Sequence, residues 1–273
     1  MSTNPSHKSL IEDQFSRQAE LFAAAPELHD AAMVRLLVDA ARPSATDESL
    51  DIACGPGSVV AAFAPHVRRA VGLDATAAML EQGRALASRE GLPNIEWRQG
   101  DVYALPFADG AFDIVTCRFA FHHLEQPERA FAEMVRVCRP GGRVVLCDGL
   151  ASDDPAKAAA LNAMELHRDP STVAFRPLAV LTDLFVPAEL PLPHIQMFQV
   201  PFEAESLIAK SFPANDDRAL LRRMIADSVA GDGLGMNARR EGDVIRLAYP
   251  AAVLVATKPA SPFITGTTRG DRP

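Results

Sequence analysis

Between residues 50 and 58 the chain reads Leu50-Asp51-Ile52-Ala53-Cys54-Gly55-Pro56-Gly57-Ser58, a glycine turn between an apolar strand and a helical stretch. Backbone without Cβ atoms can approach a ligand closely, so a nucleotide-like ligand is implied. A dinucleotide fingerprint would place a small residue where Val60 stands, and no Gly-Lys-Ser/Thr follows to make a phosphate loop. A pyrophosphate is therefore disfavoured. A second group of reactive side chains lies in Cys117-Arg118-Phe119-Ala120-Phe121-His122-His123, where the chain leaves another apolar run. In a parallel sheet the carboxyl ends of strands present ligands. A neutral imidazole there can take a proton at a pKa near neutrality, so either His122 or His123 is a candidate base. The plainer alternative is a histidine that bonds a backbone carbonyl to hold the loop. Arg118 can orient an acidic group, or simply form a surface ion pair.

Positioning these residues requires strands that end together. From residue 50 to 148 short apolar runs alternate with helical spacing, the pattern of repeated βαβ units and a parallel sheet. The spacing predicts strands at Leu50 to Ala53, Ala70 to Leu73, Ile95 to Trp97, Phe112 to Cys117 and Val144 to Cys147. Pro65 shortens the helix after Gly57. Met79, Leu80, Gly83 and Leu86 mark the next helix, stopped by Gly91 and Pro93. A further helix starts near Pro127, buries Ala130, Phe131, Met134 and Val137, and is expected to end at Pro140-Gly141-Gly142. Ala156 to His167 reads as helix, and the prolines that follow suggest a substrate-facing insertion over 151 to 194. Ile195 to Val200 and Val244 to Thr257 are β-like and suit an antiparallel pair, with one helix between them. A single domain over 11 to 259 is expected, with irregular termini at 1 to 10 and 260 to 273.

The composition narrows the partners. A net charge of −8 works against nucleic acid, whose binding requires several phosphates to be neutralised. No apolar stretch approaches the ~20 residues of a membrane span, so a cytoplasmic protein is expected. Cys54, Cys117, Cys138 and Cys147 have no metal-ligand spacing and read as reduced core thiols, so no metal is expected.

The segments LDIACGPG and VGLD resemble the first two motifs of class I S-adenosylmethionine-dependent methyltransferases, particularly the ubiquinone and menaquinone biosynthesis type. Gln99-Gly100-Asp101-Val102, Leu105 to Asp113, Phe121-His122-His123-Leu124 and Arg139-Pro140-Gly141-Gly142 follow in the same order. The resemblance implies a Rossmann-like, seven-stranded mixed α/β sheet with an antiparallel edge pair and helices on both faces. It further implies methyl transfer from S-adenosyl-L-methionine to O, C or N of a small-molecule acceptor, leaving S-adenosyl-L-homocysteine. By the same resemblance Ala53, Cys54 and Gly55 face the methionine portion of the cofactor, with Ala53 standing where Gly is usual. Asp74 accepts from the ribose hydroxyls, and Asp101, beside Gly100 and Val102, takes the adenine amino group, although a turn role for Asp101 stays open. Ala75 and Met79 pack on the adenosine, although Met79 at helical spacing is as readily a core residue, and Arg118 and Phe119 complete the cofactor side. The helix carrying Phe15 and Phe22 covers the site, or packs on the sheet. His167 and Arg168 face substrate, or are surface charges. Alignment and exclusion of water can supply much of the rate of such a transfer, ~7–11 kcal/mol in well-oriented systems, with a base optional. Two other readings remain: a non-catalytic adenosylmethionine-binding module, and a nicotinamide-dependent oxidoreductase. The oligomeric state stays open, a homodimer being one candidate.

Overall fold

A computed structural model describes residues 7–23 and 31–260 of the chain. Helices α1 (His7–Ala23) and α2 (Ala31–Ala41) precede β1 (Glu48–Ile52), α3 (Ser58–Phe63), β2 (Arg69–Asp74), α4 (Ala77–Glu90), β3 (Ile95–Gln99), β4 (Phe112–Arg118), α5 (Pro127–Val137) and β5 (Cys138–Gly149). The chain continues through α6 (Pro155–Arg168), α7 (Leu178–Asp183), β6 (His194–Glu203), α8 (Ala204–Ala209), α9 (Arg218–Ser228), β7 (Arg239–Glu241) and β8 (Val244–Thr257). Residues 1–6, 24–30 and 261–273, which include most of both expected irregular termini, lie outside the described residues. Residues 7–10, expected to be irregular, already belong to α1.

The main path of the sheet runs β3-β2-β1-β4-β5-β8-β6. Pairing is parallel from β3 through β5, and β8 runs antiparallel to both β5 and β6. Strand order reverses between β1 and β4, which opens a crevice at the carboxyl ends of the strands. The period-2 alternation of the strands feeds two cores. Val144 and Leu146 of β5 face a layer that includes Phe131 and Met134 of α5 and Leu181 of α7. Val145 and Cys147 face the opposite layer, with Leu37 and Val38 of α2 and Val59, Val60 and Phe63 of α3. A third core joins α6, α8 and α9 to β6 and β8 through Leu161, Leu207, Leu221 and Leu247. Among the described residues no helix is long and apolar enough to cross a membrane.

Three expectations need correction. Helix α5 stops at Val137, and Pro140-Gly141-Gly142 lies within β5. Those residues bulge out of the ladder, because the register steps from Phe112–Cys138 directly to Ile114–Arg143. An eighth strand, β7, forms a hairpin with β8 through Gly242-Asp243, where Gly242 takes φ 63°. Its residues are all exposed, so apolar alternation could not reveal it. Two helices, α8 and α9, stand where one was expected.

Candidate active site

Four connections reach the crevice, and each carries its functional side chains for a local reason. The turn after β1 places Ala53 at φ 50°, Gly55 at φ 52° and Gly57 at φ 84°. Left-handed backbone is costly for a residue with a Cβ, so Ala53 holds a mildly strained conformation. A Cβ built on Gly55 would meet nothing within 4 Å, so open space lies against the turn there. The glycine at 57 has another purpose: its missing Cβ makes room for the Trp97 ring, which would otherwise lie 2.3 Å away.

Asp74 ends β2 and ties this turn to the next connection. Its Oδ2 accepts the Gly55 N–H at 2.8 Å and its Oδ1 accepts the Thr76 N–H at 2.8 Å. Burial pushes the Asp74 carboxyl up, and these backbone donors oppose the shift. Asp51 on β1 is buried beneath the turn, where Oδ1 accepts the Thr116 hydroxyl at 2.6 Å. Burial raises the Asp51 carboxyl to about 7, against the Thr116 bond and the Arg118 charge.

These groups border one cavity of about 250 Å³, lined by Asp51, Ala53, Cys54, Gly55, Asp74, Ala75, Met79, Asp101, Val102, Arg118, Phe119 and His123, among others. Helix α1 closes it with His7, Ile11 and Phe15. It is pinned there by a bond from His7 Nε2–H to the His123 carbonyl, 2.8 Å. The Phe15 ring stands edge-on to His123 at 5.0 Å. The Phe22 side chain lies outside the described residues.

Not every expected residue faces this cavity. Gly100 is absent from its wall; a Cβ there would come 2.8 Å from Leu73 Cδ1, so its smallness serves packing. Asp101 borders the cavity and also fixes a turn, its Oδ1 accepting the Tyr103 N–H at 2.8 Å. Met79 is both core and lining. Arg118 lies over the Phe119 ring at 4.3 Å, a cation–π contact at the cavity wall. The Cys54 thiol borders the space, but burial pushes it well above its ordinary value, so it is no ready nucleophile.

The two histidines part company. His122 lines a second, smaller cavity of about 110 Å³ with Gly149, Arg168, Asp169, Phe175, Val200, Phe202, Leu207, Lys210 and Tyr249. His123, Phe15 and Phe119 border both cavities. His123 Nδ1 lies 3.0 Å from the Ser171 carbonyl, which can only accept, so Nδ1 carries the proton. Burial, then the neighbouring His122, hold His123 well below the ordinary histidine range, which corrects the near-neutral value expected from the sequence. His122 Nδ1 bonds Asp148 Oδ1 at 2.7 Å, and its backbone N–H bonds Oδ2 at 2.9 Å. His167 turns away to the Asp217 carbonyl, whereas Arg168 borders the smaller cavity.

Sequence reasoning passed over Asp51 and Asp148. A signal existed for both, since each is a lone carboxylate inside a run of buried strand residues.

Residues 50–146 match a family model described as a methyltransferase domain. An uncharacterised methyltransferase of Bacillus subtilis, YcgJ, is 30% identical over 249 residues, covering 90% of this chain and 98% of the relative. Its crystal structure superposes with a TM-score of 0.78 at 27% identity, over 85% of this chain and 100% of that one. A demethylmenaquinone methyltransferase of Renibacterium salmoninarum is 38% identical over 114 residues, which are 42% of this chain and 46% of the relative. Geranyl diphosphate C-methyltransferase from Streptomyces coelicolor, solved with S-adenosyl-L-homocysteine, geranyl diphosphate and Mg2+, shares the fold at TM-score 0.60 and 16% identity, over 84% of this chain and 79% of that one.

Proposed function

Because this chain belongs to the S-adenosylmethionine-dependent methyltransferases, we propose that it methylates O, C or N of a small-molecule acceptor, with donor and acceptor in adjoining cavities. The observation that carries the reading is the shared wall of Phe15, Phe119 and His123 between the two spaces. A transfer needs the acceptor lone pair aligned behind a methyl carbon with water excluded, and a boundary bordered by the Phe15 and Phe119 rings supports the exclusion of water.

The larger cavity suits the cofactor by its chemistry. The space against Gly55 receives the methionine portion, beside Ala53 and Cys54. Asp74 borders the cavity with its carboxylate accepting the Gly55 and Thr76 N–H groups, and a carboxylate there suits the two ribose hydroxyls as further donors. Asp101 and Val102 serve the adenine edge, while Ala75 and Met79 pack on its face. Arg118 lines the same cavity, and Phe119 borders its boundary with the smaller one. When bound, the cofactor supplies an electrophilic methyl group on a sulfonium. Titrating the protein with S-adenosylmethionine, then following S-adenosylhomocysteine formation over a panel of acceptors, tests the reading. Binding without turnover on any acceptor would favour a non-catalytic module.

Two further outcomes are expected. Asp74→Ala weakens S-adenosylmethionine binding by roughly tenfold to a hundredfold, since bonds to a charged acceptor are worth ~1.5–3 kcal/mol each. Unchanged affinity by calorimetry removes the ribose assignment. The second concerns pH. Asp51, faced by Arg118, Asp74 and Cys54, is largely protonated below about 7, and a cationic ligand favours its carboxylate. Binding therefore expels a proton in that range. Affinity climbs as pH rises toward 7 and levels off above it, by at most about tenfold per pH unit for one linked proton. Calorimetry in buffers of different ionisation enthalpy reads the proton directly, and Asp51→Asn should abolish it.

A further inference from the structure

We infer that the smaller cavity takes a neutral, single-ring phenol, and that His122, positioned by Asp148, removes its hydroxyl proton as the methyl is transferred. This rests on the reading above, in which the donor occupies the larger cavity. Size sets an upper limit: an engineered apolar cavity of about 150 Å³ accepts benzene, and this one, at about 110 Å³, excludes anything larger than a single ring. Its walls are mainly Phe175, Val200, Phe202, Leu207 and the Tyr249 ring, which suit an aromatic face.

The charged groups around it have partners of their own. Arg168 gives Nε and Nη2 to Glu165, at 2.9 and 2.7 Å, and Tyr249 donates its hydroxyl to the same carboxylate. Asp169 accepts the Ser171 hydroxyl at 2.6 Å. Lys210 is likewise engaged. Arg176, whose charge acts on Asp148, donates to the Phe121 and Leu124 carbonyls at 2.7 and 2.9 Å. An acidic acceptor would thus find no cation held in reserve for it. What the cavity offers is an imidazole. His122 stacks on Phe175 at 4.3 Å with Nδ1 committed to Asp148, which leaves Nε2 as the ring nitrogen for a ligand. A carboxylate on the far nitrogen fixes the tautomer and stabilises the imidazolium that proton uptake creates. His123 Nδ1 faces the Ser171 carbonyl at 3.0 Å and the Ser171 hydroxyl at 3.2 Å, so the Asp169 carboxylate reaches it only through that hydroxyl; burial, the largest effect, opposes its charging, so it shapes the boundary rather than taking the proton.

The step balances. The phenol O–H bond breaks and its proton goes to His122 Nε2, while the oxygen pair forms the new O–CH3 bond. The methyl–sulfur bond breaks with its electron pair left on sulfur, so the sulfonium charge is lost and the imidazolium faces Asp148. The proton later passes to solvent.

The test uses the full chain saturated with S-adenosylhomocysteine and titrated with phenol or with toluene, which has the ring without the hydroxyl. Phenol is expected to bind about tenfold or more tightly than toluene. His122→Gln should bring phenol close to toluene while S-adenosylhomocysteine affinity is unchanged. Ring ¹⁵N spectra of the wild-type protein should show His122 with its proton on Nδ1, and phenol should perturb Nε2 of His122 and not of His123. With S-adenosylmethionine, phenol turnover should fall ~10²–10⁴-fold in His122→Gln. Equal binding of phenol and toluene, displacement of S-adenosylhomocysteine by phenol, or an Nε2–H tautomer would overturn the inference. Failure of S-adenosylhomocysteine itself to bind would instead strike the reading of the larger cavity.

Discussion

Gly55→Val is expected to lower S-adenosylmethionine affinity by at least about a hundredfold, ~2.7 kcal/mol, while the protein stays folded. Two effects combine. The space that a side chain at 55 would enter is bare of protein within 4 Å and belongs to the larger cavity, so a branched side chain fills volume the ligand needs. The residue also sits at φ 52°, where a Cβ costs ~1–2 kcal/mol, and any backbone shift would disturb the bond from its N–H to Asp74. That strain is small beside the stability of a domain of this size, so the fold should survive. Gly55→Ala separates the two effects, with the strain but little of the bulk, and should lose much less affinity. Calorimetric titration with a parallel thermal melt reads both. Normal binding by a folded Gly55→Val protein would mean that the turn is purely structural and the donor lies elsewhere.

The largest expected effect on stability comes from Glu165→Ala. Glu165 has no exposed surface, holds Arg168 through both carboxylate oxygens and accepts the Tyr249 hydroxyl. The network links α6 to β8 and forms part of the smaller cavity wall through Arg168 and Tyr249. Removing the carboxylate leaves a largely, not fully, buried guanidinium and a buried hydroxyl without their partner. Breaking a buried pair in this way costs ~3–5 kcal/mol, mostly from the stranded charge. At ~2–4 °C per kcal/mol for a domain of this length, the melting temperature should fall by roughly 6–20 °C. Arg168→Leu in the same background should recover part of the loss, because it removes the stranded charge. A urea melt in which Glu165→Ala loses less than ~1 kcal/mol would show that water reaches the site and already screens the pair.

Local pattern accounted for much of the site. Asp74 was legible because a carboxylate closing an apolar run sits at a strand end whatever the fold packs around it. The turn at 53 to 57 was legible for the same reason. The Pro140-Gly141-Gly142 segment misled because its residues ordinarily stop a helix, yet here they bulge within β5. Gly100 shows the opposite case: a small residue next to one that borders the cavity does not itself line it. Its Cα lies against Leu73, which no spacing in the sequence indicates.

The sequence by itself therefore determined the βαβ rhythm, the parallel half of the sheet and the strand-end residues of the larger cavity. Side-chain periods of 2 and 3.6 and the φ demands of glycine are properties of neighbouring residues. The tertiary structure decided which histidine bonds a carboxylate directly. His122 meets Asp148 across 26 positions, His123 meets Ser171 across 48, and Glu165 meets Tyr249 across 84. Those distances close only when β4, β5 and β8 pair in register and α6 packs beside them. The smaller cavity is the space left between these elements, and its shape is set by their packing rather than by any one segment.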